Sequence, residues 1–314
     1  MDINTQNTDD QQIDVSMPDE DEIAAAQITV GGTPSAESSQ EDAGARSVLT
    51  EKKEKRDGFF GKLLKTILAH KVYILVFLIP ALLLFGAYAA FRVHPFGDMS
   101  VLVLDLNGQY VYYYENLRDA LHGNGSLVNS WSRNLSGEIM GMYAYYLASP
   151  FVIIPMLLPR AMMTESLLIM QLCKVGAAAV TFFIYLRRSR LCRESTSFIF
   201  AMMYSLMGYM IVQLMNPMWL DGLIYLPLIV LGIENVIEKG GLIEFTIPLA
   251  LMYMAHFYIG WMLTFFSVIY FLYYYFGGRK EQKLSIKSFI GAGLRFAAGG
   301  CLAAVTAAWV LLPL

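Results

Sequence analysis

The chain has 314 residues, of which 56 % are hydrophobic and 16 % charged, with a mean hydropathy of +0.48 and a formal net charge of −3. This balance excludes an ordinary soluble domain and fits a chain with several bilayer-length apolar runs. The charge is split: residues 1–50 carry eleven acids against one Arg, and residues 51–314 carry fifteen acids against twenty-two bases. Those bases flank apolar runs instead of forming a patch, which argues against nucleic acid as a partner. Cys173, Cys192 and Cys301 show no ligand spacing and suggest neither a zinc site nor a disulfide framework.

Residues 1–57 read as a disordered, acidic cytoplasmic tail, because their composition buries too little apolar surface to fold alone. The tail lacks the basic-then-apolar order of a signal peptide. Lys52, Lys53, Lys55, Arg56, Lys62, Lys65 and Lys71 lead into a first span over 72–91. By the positive-inside rule the N-terminus is cytoplasmic and residues 92–160 form the first extracytoplasmic loop.

Two apolar runs follow, 142–158 and 165–185, and then the cluster Arg187, Arg188, Arg190 and Arg193. That cluster falls inside only if one of the two runs crosses. The first contains Pro150, Pro155 and Pro159, which interrupt helix hydrogen bonding. Residues 139–160 are therefore expected to be re-entrant or interfacial on the outer side. Spans over 197–215, 222–237, 243–255, 261–276 and 290–314 then alternate. The apolar ending suggests a chain that continues beyond residue 314. The expected fold is an all-α polytopic membrane domain over 58–314.

This topology brings three polar features to one face: the first loop, Asp221 and His256. Ionisable groups at membrane depth tend to mark sites. Asp98 and Asp105 are seven residues apart, close to two turns if the piece is helical, which would put both carboxylates on one face. Carboxylates so placed suit proton acceptance from a hydroxyl or coordination of a divalent cation. The blander reading makes Asp98 a helix cap and Asp105 a solvated side chain. Leu106, Tyr110, Tyr113, Leu117 and Leu121 recur at helical spacing, with Glu115, Arg118 and Asp119 as polar residues of the same helix, the pattern of an interfacial amphipathic helix. Trp131, Arg133 and Asn134 form a polar, aromatic-flanked segment suited to sugar or headgroup contact. Asp221 would cap its helix or line the site. His256 would be a structural residue or a donor to phosphate or sugar oxygen. Lys174 in mid-span fits a transporter better than an enzyme unless a carboxylate pairs with it. No P-loop, GxSxG or HExxH is present, so no nucleotide site is seen.

Gly97-Asp98, Asp105-Leu-Asn-Gly-Gln109-Tyr110, Gly123-Asn-Gly-Ser126, Tyr143-Ala-Tyr-Tyr-Leu-Ala-Ser-Pro150-Phe, Met218-Trp-Leu-Asp221-Gly-Leu-Ile-Tyr-Leu-Pro227 and Phe257-Tyr-Ile-Gly260 together resemble the bacterial YfhO family over about residues 60–314. That family is similar to the GT-C class of polytopic glycosyltransferases. The resemblance implies a GT-C-like helical bundle and transfer of a sugar from a polyprenyl-phosphate donor to a surface polymer such as lipoteichoic acid, or to a glycolipid acceptor. It implies a membrane location with the active site on the extracytoplasmic face. It makes Asp98 and Asp105 the catalytic candidates. Gln109, Tyr110, Arg118, Arg133, Asp221 and His256 become substrate-binding candidates, with Arg118, Arg133, His256 or a metal set against the departing phosphate. The competing readings are a lipid or polymer transporter and a non-catalytic assembly protein of the cell envelope.

Overall fold

The computed structural model describes residues 71–130, 137–277 and 285–312. The tail and the segment holding Trp131, Arg133 and Asn134 lie outside them. Six helices among the described residues are long and apolar enough to cross a bilayer: α1 (Lys71–Ala90), α3 (Arg160–Arg188), α4 (Glu194–Met215), α5 (Pro217–Glu238), α7 (Phe257–Gly277) and α8 (Ile286–Thr306). Between α1 and α3 lies α2 (Val111–Leu121), which continues a π-helical turn, Leu106–Tyr110. The protein is therefore an all-α polytopic membrane protein. Its β pairing among the described residues is a two-residue antiparallel ladder, Asn129 opposite Glu138 and Ser130 opposite Gly137, and an isolated bridge between Val93 and Met99.

The spans sort by what surrounds them. Helix α5 is largely buried, whereas α1, α4, α7 and α8 expose apolar side chains such as Leu82, Met203, Phe265 and Leu302. An apolar exterior of that extent is stable only against lipid. One further apolar helix, α6 (Ile243–Ala255), has 13 residues, about 20 Å of rise against a hydrocarbon core of about 30 Å. It can be short because it packs against α5, α7 and α8. Two close approaches depend on glycine. A Cβ on Gly176 of α3 would sit 2.7 Å from the Phe77 carbonyl of α1, and one on Gly232 of α5 would sit 2.5 Å from the Glu244 carbonyl of α6. Small residues of this kind let backbones meet in membrane bundles.

The segment after the ladder is a hairpin of two short helical arms, Met140–Leu147 and Pro150–Leu157, bent by 94°. Both outer ends lie beside α2. Ile139 N–H donates to the Val128 carbonyl, the Leu158 carbonyl accepts from Arg118 Nε at 3.0 Å, and Arg160 pairs with Glu115 and Asp119, each at 3.2 Å. The bend, at Ser149, instead contacts Lys174, the midpoint of α3. A pair bent this sharply is either a broken span or a re-entrant segment, and Pro150 and Pro155 lie in its second arm. At the opposite end of the bundle Glu234 accepts from Tyr185, Ser189 and Tyr270, and Arg188 pairs with Glu244.

Candidate functional site

Three connections converge on the hairpin end of the bundle: the 91–110 segment, the Asn216–Asp221 junction of α4 with α5, and His256 between α6 and α7. Asn216 bonds Tyr110, Asp221 bonds Ser149, and the His256 ring lies 4.4 Å from that of Tyr145. The convergence expected from charge topology is therefore present as direct contacts.

Asp98 is exposed in a tight turn closed by His94 N–H to the Met99 carbonyl and Met99 N–H to the Arg92 carbonyl. The residue before it has to be glycine, since a Cβ on Gly97 would lie 2.7 Å from the Arg92 carbonyl. This turn corrects one expectation. Residues 98–104 are not helical, so Asp98 and Asp105 do not share a helix face, and Asp98 caps no helix. Asp105 stands exposed at the start of the π-helical turn. Its Oδ2 lies 3.3 Å from the Tyr110 hydroxyl, which is also 3.1 Å from Asn216 Oδ1. One phenolic proton thus serves two acceptors. Burial and the neighbouring Asp105 carboxylate push the Tyr110 phenol well above its ordinary range, so it stays a donor. Gln109 is exposed and donates to the Tyr113 hydroxyl at 2.6 Å.

The amphipathic helix is present with a changed phase. Leu106, Tyr110, Tyr114 and Leu117 are buried, Tyr113 is half-buried and Leu121 is exposed. Tyr113 and Tyr114 follow Tyr110 by three and four residues, so both lie near the buried face, and Tyr114 takes the buried place expected for Tyr113. A second π-helical turn, Tyr143–Leu147, meets the first through Tyr146, whose ring lies 5.2 Å from Tyr110 and 5.0 Å from Tyr113.

Asp221 neither caps its helix through its side chain nor opens to solvent. It pairs with Lys174 at 2.7 Å, and the two side chains are 0 % and 1 % exposed. The Lys174 ammonium is fully used: its other donors reach Ser149 Oγ and the Pro217 carbonyl, both at 2.9 Å. Ser149 in turn donates to Asp221 Oδ1 at 3.1 Å. The mid-span lysine that would suit a transporter is therefore a clamp between the hairpin apex, α3 and α5.

His256 is buried, and its Nδ1 accepts from the Ile259 N–H at 3.2 Å. The proton of the neutral ring then resides on Nε2, which has no hydrogen-bond partner among the described residues. Burial pushes this imidazole down to about 4, so His256 is a neutral N–H donor. That corrects its candidacy as a cation. Arg118 donates its Nε–H to the Leu158 carbonyl at 3.0 Å. Trp219 Nε1 is a second buried donor without a partner among the described residues.

Among the described residues no three of His, Cys, Asp and Glu gather as metal ligands.

A model of the bacterial membrane protein family YfhO matches residues 76–314. The chain belongs to the YfhO family. Every candidate residue from Asp98 to His256 falls within the YfhO match, and the acidic tail falls before it. Searches of curated proteins and of solved structures returned no match. The sequence alone does not single out Ser149, Tyr145 or Trp219 in this YfhO chain. The available signal is that an unpaired lysine in an apolar span demands polar partners at its own depth.

Proposed function

We propose that this YfhO protein is a membrane glycosyltransferase that moves a sugar from a polyprenyl-phosphate donor to a surface polymer or glycolipid, with its active site on the extracytoplasmic side. The observation that carries the reading is the setting of Asp105. Its carboxylate is open on one side and is held on the other by a tyrosine hydroxyl that rises from the buried wall. Such a group can take the proton of an incoming hydroxyl. The acceptor oxygen bonds the anomeric carbon as the bond from that carbon to the lipid phosphate breaks, which inverts the configuration. The phosphate leaves with the electron pair and Asp105 keeps the proton. Asp98 is the alternative base. The Nε2–H of His256 and Nε1–H of Trp219, without partners among the described residues, supply buried donors at the same end of the bundle, a chemistry suited to oxygen-rich ligands. GT-C likeness and the lipoteichoic acid acceptor belong to this proposal and come from the family resemblance.

The test is sugar release from a polyprenyl-phosphate hexose in liposomes carrying the full chain, comparing wild type, Asp98→Asn and Asp105→Asn at equal insertion. Loss of turnover in Asp105→Asn with donor binding retained supports the assignment. Equal turnover in all three removes both residues from the chemistry. Absence of turnover with every donor and acceptor tried overturns the transferase reading.

A further inference from the structure

The turn that carries Asp98 begins with an arginine in a place suited to glycine. Helix α1 ends in two backbone bonds, Val93 N–H to the Tyr88 carbonyl at 2.9 Å and Arg92 N–H to the Ala89 carbonyl at 3.1 Å. That pairing is the Schellman closure, and its left-handed residue is ordinarily glycine, because a Cβ is crowded there. Helix α2 follows the rule: Gly123, at φ 82°, and Asn124 close it with the equivalent bonds. Helix α1 instead holds Arg92 there at φ 55°. The closure itself needs no side chain, and backbone strain of this kind gathers where a side chain serves a site.

The Arg92 side chain folds across the turn. A Cβ on Gly97 would lie 2.6 Å from Arg92 Cβ and 3.1 Å from its Nε, so the side chain crosses the residue before Asp98. His94 Nε2 lies 2.8 Å from Glu165 Oε1, which ties the turn to α3. Arg92 and Asp98 are both exposed, and neither side chain has an ion-pair partner among the described residues. The first loop holds no lysine, and its arginines are Arg92, Arg118, Arg133 and Arg160. Arg118 is bonded to the Leu158 carbonyl, Arg160 pairs with Glu115 and Asp119, and Arg133 lies outside the described residues. Arg190 shares the left-handed conformation, also at φ 55°. It belongs to the basic cluster at the opposite end of the bundle, where the positive-inside rule asks for cations. No such rule accounts for a free guanidinium beside Asp98.

Arg92 follows directly on α1, a helix of bilayer-crossing length that ends at Ala90, so it stands at the level of lipid phosphates. A guanidinium presents a planar fork of N–H donors that matches two phosphate oxygens, and it stays charged. We infer that Arg92 binds the phosphate of the donor lipid and receives it as the leaving group. The inference rests on the transferase reading and names the cation that reading needs, since His256 is a neutral donor. As the acceptor hydroxyl gives its proton to the carboxylate and its oxygen bonds the sugar, the electron pair of the broken carbon–oxygen bond stays on the phosphate. The phosphate thereby gains a negative charge. Arg92 keeps its proton and opposes that charge, so it contributes more in the transition state than in the ground state.

The experiment measures binding of radiolabelled polyprenyl phosphate to the full chain in maltoside micelles, which carry no phosphate. Polyprenol, phosphatidylglycerol and inorganic phosphate are the competitors. Wild type should prefer polyprenyl phosphate over polyprenol by at least about tenfold, and Arg92→Gly should erase that preference. Arg92→Gly should also melt at or above the wild-type temperature, because glycine suits the left-handed position. In the donor assay its kcat should fall more than its KM rises, with kcat/KM down about a hundredfold. Arg92→Lys keeps the charge without the fork and should recover part of both. An unchanged preference in Arg92→Gly overturns the inference. So does a loss of binding that comes with a lowered melting temperature and is no smaller in Arg92→Lys, which would make Arg92 a structural residue. Competition by phosphatidylglycerol or inorganic phosphate as strong as that by polyprenyl phosphate would make the site a general anion contact and overturns it too. If the preference depends on Arg92 but no sugar is transferred from any donor, the transferase reading fails and the phosphate site stands. If transfer proceeds at the wild-type rate in Arg92→Gly, the phosphate site fails and the transferase reading stands.

Discussion

The Lys174–Asp221 pair allows a quantitative test of the clamp. Lys174→Met strands a carboxylate with 0 % side-chain exposure whose remaining donor among the described residues is Ser149. Removing one member of a buried pair costs about 3–5 kcal/mol, and this variant belongs at the upper end. Asp221→Leu leaves the ammonium with two neutral acceptors, Ser149 Oγ and the Pro217 carbonyl, so about 3 kcal/mol is expected. The double variant removes both charges and leaves the Ser149 hydroxyl without its acceptor and the Pro217 carbonyl without its donor, a cost of about 2 kcal/mol. The two single effects should therefore fail to add by at least about 3 kcal/mol. The assay is reversible SDS unfolding in mixed micelles, followed by tryptophan fluorescence. Additive effects, or single variants within about 0.5 kcal/mol of wild type, would refute the clamp. Turnover of the double variant separates the roles further: a clamp predicts recovery, whereas a need for the charges themselves predicts a stable, inactive protein.

Tyr110→Phe should cost about 1 kcal/mol of stability and lower kcat more than it raises KM, because Asp105 loses the hydroxyl that positions it. Steady-state kinetics on the donor assay checks this. Gly176→Leu drives a side chain into the Phe77 backbone, and overpacking of this kind costs about 1–3 kcal/mol; micelle unfolding should show it, with Gly176→Ala less affected. The pH dependence comes from His256. Its value of about 4 lies below the ordinary 6.5, so between those pH values the unfolded chain binds the extra proton. Stability from this group is thus complete above pH 6.5 and falls as pH drops towards 4, by roughly 3 kcal/mol in all. Unfolding scans at pH 7 and 4.5 should differ in wild type and converge in His256→Gln.

Much of the membrane architecture is legible in the sequence. Apolar run length locates six of the seven expected spans; the other, 243–255, is a 13-residue helix, and the last span ends at Thr306, well before the expected residue 314. Pro150, Pro155 and Pro159 mark the bent segment between α2 and α3. The internal geometry of the first loop is not legible. Asp98 and Asp105 look like a helical pair because spacing alone ignores Gly97, whose contact with the Arg92 backbone closes a turn. In α2 the stripe is right except at one position: three- and four-residue spacing both satisfy a helix face, and spacing alone does not choose Tyr114 over Tyr113. Lys174 and Asp221 are each noticeable, but their pairing depends on how α3 and α5 lean together at the hairpin apex. Hydropathy has no access to that relation.

The same ion pair constrains how the protein is made. Lys174 precedes Asp221 by 47 residues, so α3 leaves the ribosome before its counter-charge has been synthesised. A lysine at a helix centre opposes insertion by about 3 kcal/mol. Helix α3 therefore carries an uncompensated charge through early insertion and gains its partner only when α5 arrives. Shortening the nascent chain before residue 221 should leave α3 poorly retained in the bilayer, although its own sequence would be complete.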